Sequence, residues 1–117
     1  MAKFMFVYRD APDQPQPSPE EMQQAMQVWM AWMEGGAKEG WLIDGGDALL
    51  PGGKNVAPDQ TVTDGPFAET KELVSGYSLI EASDYDAAAA IAKECPMISV
   101  HKGHVEIRQL AEVGKEE

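Results

Sequence analysis

The chain has 117 residues, 44% hydrophobic and 25% charged, a composition typical of one globular domain spanning residues 1–117. Twenty acidic residues against nine basic ones give a net charge of -11, which disfavours nucleic acids and anionic membrane surfaces as partners. The single cysteine excludes a disulfide within the chain, and no apolar run reaches the ~18 residues of a membrane span. The first apolar run is also too short for a secretory signal, so we expect a cytoplasmic protein.

The first predicted element is a strand at residues 3–8, KFMFVY, because this run is apolar with little alternation, as in a central strand. Residues 10–17 contain three prolines and are predicted to form a loop. A helix is expected to begin after Ser18, because Pro19 follows at its first position and Glu21 completes a capping box. This helix should run to about Gly36 or slightly beyond.

The first helix carries more apolar surface than packing on one sheet requires. Its apolar residues recur at helical spacing, with further apolar residues beside them: Met22, Met26, Trp29, Met30 and Met33, flanked by Ala25, Val28 and Trp32. Two interpretations are open, a deeply buried helix or a second apolar contact with a subunit or a ligand. Methionine suits both, because its flexible side chain fills irregular space.

The middle of the chain is predicted to be rich in strands. Residues 41–46, WLIDGG, form a short strand ended by two glycines, and residues 47–60 form a loop with at most one strand fragment. Residues 61–63, TVT, form a strand that leads into a turn. Residues 73–82 form the longest strand, in which Gly76 indicates a bulge or a close backbone approach.

A second helix and a last strand complete the predicted fold. Ser83 is the expected N-cap, and the helix continues through residues 87–95 until Pro96 stops it. Residues 104–110 alternate between apolar and polar side chains, as in a half-buried strand. This order predicts a ferredoxin-like α+β sandwich, an antiparallel sheet with both helices on one face. A second subunit or water must cover the other face, and we expect a homodimer.

The segment TVTDGPFAETKE, residues 61–72, combines a predicted turn with a dense polar run. Asp64 begins the turn, and Phe67 is expected to be buried as its anchor. Glu69 and Lys71 share one side if the following chain is extended, so they can offer acid/base or substrate-orienting groups to a cleft. The alternative is a structural corner followed by a solvated loop.

Other candidate residues lie near strand ends, where binding sites are commonly built. Tyr8, Arg9 and Asp44 are of this kind, and the chain's two histidines, His101 and His104, flank Gly103. Histidine can carry protons near neutral pH, but strand-end histidines without any chemistry are an open alternative. Arg9 is also interpreted as the ion-pair partner of Asp10, and Cys95 as buried and inert. No zinc-type Cys/His spacing or glycine-rich phosphate loop is present, so neither a metal nor a cofactor is expected.

The run DGPFAETKE, residues 64–72, resembles the DGPF family, a branch of the YciI-like (YCII-related) proteins. The similarity continues, in the expected order, through FMFVYRD, SPEEMQQAMQVWMAWM, GWLIDGG, GYSLIEASDYDAAAAIAKECP and VEIRQL, and it covers essentially the whole chain. The resemblance implies a ferredoxin-like fold that dimerises through its sheets into a barrel-like assembly. It also implies a polar cleft between the sheet and its loops.

The resemblance does not imply one settled reaction, since most members of this branch have no established activity. More distant relatives are thought to use a His–Asp pair, and some are linked to lyase or dehalogenating chemistry on small aromatic compounds. Those relatives carry a histidine in the first helix, whereas this chain has none between residues 18 and 40.

Two functions are therefore open. One is a cofactor-independent acid/base enzyme acting on a small organic molecule. The other is a module that binds a small molecule or a partner, since members of this branch often accompany extracytoplasmic-function sigma factors. The catalytic candidates are Asp64, Glu69 and His104, and the substrate-binding candidates are Tyr8, Arg9, Asp44, Phe67 and Lys71.

Overall fold

Six strands and three helices make up the part of the chain that a computed structural model describes, residues 1–10, 16–50, 52–65 and 73–112. In chain order they are β1 (Ala2–Asp10), α1 (Pro19–Glu39), β2 (Leu42–Asp44), β3 (Gly53–Val56), β4 (Val62–Gly65), β5 (Leu73–Ala82), α2 (Tyr85–Lys93), α3 (Pro96–Ser99) and β6 (His104–Gln109). None of the helices in these ranges is both long enough and apolar enough to cross a lipid bilayer.

Strand β1 lies at the centre of a four-stranded antiparallel sheet with the order β2-β5-β1-β6, while β3 and β4 pair in a separate two-stranded sheet. Two crossovers through α1 and α2 produce this order, which confirms the predicted α+β fold with a ferredoxin-like sheet. The core forms where alternate β1 residues face the helices. Its buried members include Phe4, Phe6, Tyr8, Ile80 and Met97.

Helix α1 begins as its sequence predicts. The Ser18 side chain accepts a hydrogen bond from the Glu21 backbone, and the Glu21 carboxylate accepts one from the Ser18 backbone, which completes the capping box. The helix ends at Gly40, whose φ of 90° requires glycine and whose N–H donates to the Gly36 carbonyl.

The interpretation of α1 as a deeply buried helix is wrong. Met22, Met26 and Met30 are 58%, 64% and 65% exposed, because their stripe points away from the sheet. Trp29 and Trp32 lie on the inner side of the helix and pack, half-buried, against the core. The apolar surface of α1 therefore divides into a part that contacts the core and a part that faces solvent.

The second crossover differs from the prediction in two details. Asp84 rather than Ser83 caps α2, because its carboxylate accepts a hydrogen bond from the Ala87 backbone at 2.8 Å. Pro96 ends one helix and also begins the next, since proline fits the first position of a helix, where no backbone donor is needed. Cys95 lies between the two helices and is buried, as expected.

The predicted irregularity in the longest strand is confirmed. Tyr8 pairs with Gly76 and Arg9 pairs with Val74, so Ser75 forms a bulge in β5. Gly76 also bridges to Ala48, and a Cβ atom at Gly76 would lie 2.9 Å from the Asp47 carbonyl oxygen. Glycine is needed here because another backbone segment approaches too closely for a side chain.

Candidate functional site

The sheet face opposite the helices carries a cluster of charged side chains at one end of β1. Because strand residues alternate between faces, Arg9 lies on this open face while Tyr8 lies beneath the helices. The strand register places Arg9 directly opposite His104 and Val7 directly opposite Glu106. We call Arg9, His104, Glu106 and Arg108 the strand-end cluster.

Both arginines of the sequence converge on Glu106. The Nε and Nη2 atoms of Arg9 each lie 2.9 Å from Glu106 Oε1, and Arg108 Nη1 lies 3.5 Å from Oε2. The hydrogen bond from Arg9 lowers the pKa of Glu106 below its usual value, because it stabilises the ionised carboxylate. The expected pairing of Arg9 with Asp10 is thus corrected, since Glu106 presents its carboxylate on the face where Arg9 lies.

The strand that follows the polar run of the sequence pairs with β1 beside this cluster. Leu73, the first residue described after that run, pairs with Asp10, which follows Arg9 on β1. The candidates Phe67, Glu69 and Lys71 lie outside the described residues, so their proposed roles stay predictions.

Tyr8 is held in a buried chain of hydrogen bonds on the helix side of the sheet. Its hydroxyl donates to Ser78 Oγ at 2.7 Å, and Ser78 Oγ donates to the Gly45 carbonyl at 2.7 Å. Burial raises the pKa of Tyr8 above its usual value despite the hydrogen bond with Ser78. The structure therefore places Tyr8 and Arg9, two predicted binding residues, on opposite faces of the sheet.

His101 accepts a hydrogen bond from an indole instead of joining the strand-end cluster. Trp29 Nε1 donates to His101 Nε2 at 2.9 Å, and the two rings stack with their centroids 6.0 Å apart. This contact ties α1 to the segment before β6. Nearby, burial raises the pKa of the Cys95 thiol to about 12, which keeps it in its unreactive protonated form near neutral pH.

Asp64 and Asp44 lie on strands that do not pair with β1. Asp64 is an exposed residue of β4, paired with Lys54 on β3, and Lys54 Nζ donates to its carboxylate at 2.7 Å. The first half of the expected turn, Asp64 and Gly65, thus continues the strand. Asp44 ends the edge strand β2, where its carboxylate accepts a hydrogen bond from the Gly46 backbone at 2.8 Å. Any catalytic role of Asp64 or binding role of Asp44 stays a prediction.

The strand-end cluster combines a cation fixed in place, an exposed histidine and a carboxylate on one surface. Such a set can hold a negatively charged group and move a proton. Within the described ranges, no three His, Cys, Asp or Glu side chains come together as metal ligands would.

Comparisons with known proteins place the chain in a family. An uncharacterized protein of Rhizobium meliloti (strain 1021) is 38% identical over 58 residues, which span 50% of this chain and 47% of that relative, about half of its length. The solved structure of 5-chloro-2-hydroxyhydroquinone dehydrochlorinase from Burkholderia phenoliruptrix AC1100, in complex with 2,5-dihydroxybenzoquinone, aligns over 94% of this chain and 93% of that chain. Its TM-score is 0.46 and its sequence identity 12%. The family model for the YCII-related domain matches residues 2–113, so the chain belongs to the YCII-related domain family.

Proposed function

We propose that the protein is a cofactor-independent acid/base enzyme that binds a small organic molecule at the strand-end cluster. The observation that carries this proposal is the placement of Arg9 and His104 as direct cross-strand neighbours, with Arg9 fixed by Glu106. His104 is the proton carrier in this proposal, because histidine can exchange protons near neutral pH. Arg9 orients a negatively charged group of the substrate through its Nη1 N–H groups, since Nε and Nη2 are the atoms that contact Glu106.

The surface beside the cluster favours a substrate with an apolar body. Met5 and Val7 lie on the same face of β1 as Arg9 and are half-buried. A small phenolate or carboxylate compound matches this combination of an apolar floor and a fixed cation. In this proposal Glu69 and Lys71 reach the cluster from the segment that rejoins the sheet at Leu73, and the chain is a DGPF-branch member.

We also propose that two copies associate through their open sheet faces. The support is the apolar surface there, which includes Met5 and Leu79 opposite each other in the β1–β5 register. Such a homodimer would enclose the strand-end cluster between subunits and exclude water from it, which strengthens electrostatic interactions. The proposal includes the cytoplasmic location that is expected from the sequence.

A non-catalytic binding module is the second candidate, and one observation favours it. Glu106 already forms ion pairs with both arginines, as it would in a purely structural ion-pair network. The partner would then be a small molecule or a regulatory protein, for example one associated with a sigma factor.

The test uses a panel of small phenols and aromatic carboxylates with their neutral analogues. Binding is followed by NMR chemical shifts and turnover by ultraviolet absorbance. We expect Arg9→Gln to weaken binding of the charged compounds and His104→Gln to lower turnover at least ~100-fold while binding persists. Lys102→Gln, which removes a nearby exposed positive charge, is the matched control.

Each result separates the two candidates. Turnover that survives His104→Gln would refute the proton-carrier assignment. Binding that depends on Arg9 without any turnover across the panel would establish the binding module instead.

A further inference from the structure

A groove of about 410 Å³ lies between α1 and α2, on the opposite side of the sheet from the strand-end cluster. Its volume falls in the range of small-molecule sites, which is roughly 300–1,000 Å³. Small residues of both helices line it, together with aromatic, aliphatic and carboxylate side chains. The lining residues are Ala31, Trp32, Gly35, Gly36, Glu39 and Trp41, with Ala90, Ile91 and Glu94 from the α2 side.

Two tryptophans form an aromatic wall of this groove. The rings of Trp32 and Trp41 lie with their centroids 5.0 Å apart at an interplanar angle of 52°. Trp41 is fixed from two sides, because its ring packs where a Cβ of Gly36 would lie and its Nε1 donates to Glu39 Oε2 at 3.1 Å. Both indoles are half-buried, so each ring keeps part of its surface toward the groove. A fixed indole face attracts cations through its quadrupole.

The charges of the groove have one sign. Glu39 is the last residue of α1 and Glu94 caps the C-terminus of α2, so two exposed carboxylates lie where two helices end. The C-terminal end of a helix dipole adds partial negative charge, which also favours cations. No lysine or arginine in the described ranges forms an ion pair with Glu39 or Glu94. The net charge of -11 strengthens attraction of a cation from solution.

We propose that this groove binds a small organic cation of the quaternary or substituted ammonium class. The cationic group lies against the Trp32 and Trp41 rings, and Glu39 and Glu94 compensate its charge. Ile91 and the small residues contact the apolar substituents. An anionic ligand is disfavoured, because every charged group lining the groove is a carboxylate.

Choline is the probe, and 3,3-dimethylbutan-1-ol, its neutral isostere, is the comparison ligand. Titrations of the full chain are followed through the indole N–H signals of the three tryptophans. We expect choline to shift the Trp32 and Trp41 signals, with a smaller effect on Trp29, whose N–H is bonded to His101. The isostere should bind at least about fivefold more weakly, since it lacks the charge that the rings and carboxylates recognise.

Variants that remove the two carboxylates test whether choline binds in the groove. Glu39→Gln and Glu94→Gln together should weaken choline binding by about fivefold or more, and the isostere should be unaffected. Glu34→Gln is the matched control, because it removes an equal charge from an exposed position of α1 outside the groove. Trp32→Leu keeps apolar bulk and removes the π face, so it should abolish the preference for choline.

The proposal fails if choline shifts neither groove tryptophan, if both ligands bind equally, or if Glu34→Gln weakens binding as much as the double variant. Should Trp32→Leu not fold, the carboxylate variants alone decide the result. None of these outcomes bears on the strand-end cluster, which lies on the other face of the sheet.

Discussion

Glu106 shows how one side chain organises the open face. It lies between two arginines, and its alternation with His104 and Arg108 along β6 places all three on one surface. Its carboxylate is the acceptor that fixes Arg9, so the orientation of Arg9 toward a ligand depends on Glu106 remaining ionised.

The lowered pKa of Glu106 predicts a pH dependence of stability. The unfolded chain takes up the proton near the usual glutamate value of 4.5, whereas the folded state resists it until a lower pH. The stabilisation is therefore present above about pH 4.5 and is lost as pH falls through the folded pKa. We expect wild type to lose more free energy of unfolding than Glu106→Gln as pH falls through this window, measured by urea denaturation.

Glu34→Gln serves as the control for that experiment, because it removes an exposed carboxylate from α1 without touching the strand-end cluster. An equal pH response of wild type and Glu106→Gln would contradict the proposed role of the Arg9–Glu106 pair.

Part of this residue-level picture could be predicted from sequence. The alternation in HVEIRQ is sufficient to place His104, Glu106 and Arg108 on one face, but it does not identify the strand beside them. Without the β1–β6 register, the simplest interpretation pairs Arg9 with its sequence neighbour Asp10. The Trp29–His101 hydrogen bond joins residues 72 positions apart and has no local signal.

At the scale of elements, local signals determined most boundaries. The capping box at Ser18 and the glycine at position 76 acted as predicted, because both work through adjacent backbone atoms. The burial of α1 is not predictable in this way, since its apolar face is wide and periodicity does not say which of its residues meet the sheet. The effect of a substitution at two adjacent glycines of this helix, Gly35 and Gly36, likewise depends on tertiary packing.

Gly35 and Gly36 should respond oppositely to alanine. A Cβ at Gly35 meets nothing within 4 Å, whereas one at Gly36 would lie 2.6 Å from the Trp41 ring. We expect Gly35→Ala to stabilise the protein by about 0.5–1 kcal/mol through helix propensity. Gly36→Ala should destabilise it by about 1–3 kcal/mol, because the ring or the helix must shift.

Thermal and urea denaturation of the two variants measure this difference, and each variant is the control for the other. Equal stability changes would mean that Trp41 does not pack on Gly36 in solution.

For the whole molecule, the open face of the sheet is the surface that the proposed homodimer covers. The helices leave Met5, Leu79 and their neighbours on that face partly exposed, and the outer side of α1 exposes its own methionine stripe. Each surface offers apolar area, but only the sheet face also carries the strand-end cluster.

Leu79→Glu should therefore convert a dimer into a monomer, because it places a charge in the proposed sheet-to-sheet interface. We expect that interface to bury more than ~1,000 Å². Met26→Glu, on the exposed stripe of α1, is the matched control and should leave the dimer intact. Light scattering at micromolar concentration measures the mass. A monomeric wild type would refute the dimer, and a monomer formed only by Met26→Glu would move the interface to α1.

The central position of β1 has a consequence for biosynthesis. Both partners of this early strand come late in the chain: Tyr8 and Ser78 are 70 residues apart, and Arg9 and Glu106 are 97 apart. At a translation rate of roughly 5–20 residues per second, β1 waits several seconds before β5 leaves the ribosome. During that interval the apolar β1 segment has no pairing partner, so chaperones and other nascent chains can bind it. The central strand of the sheet therefore cannot complete its pairing until β5 and β6 have been synthesised.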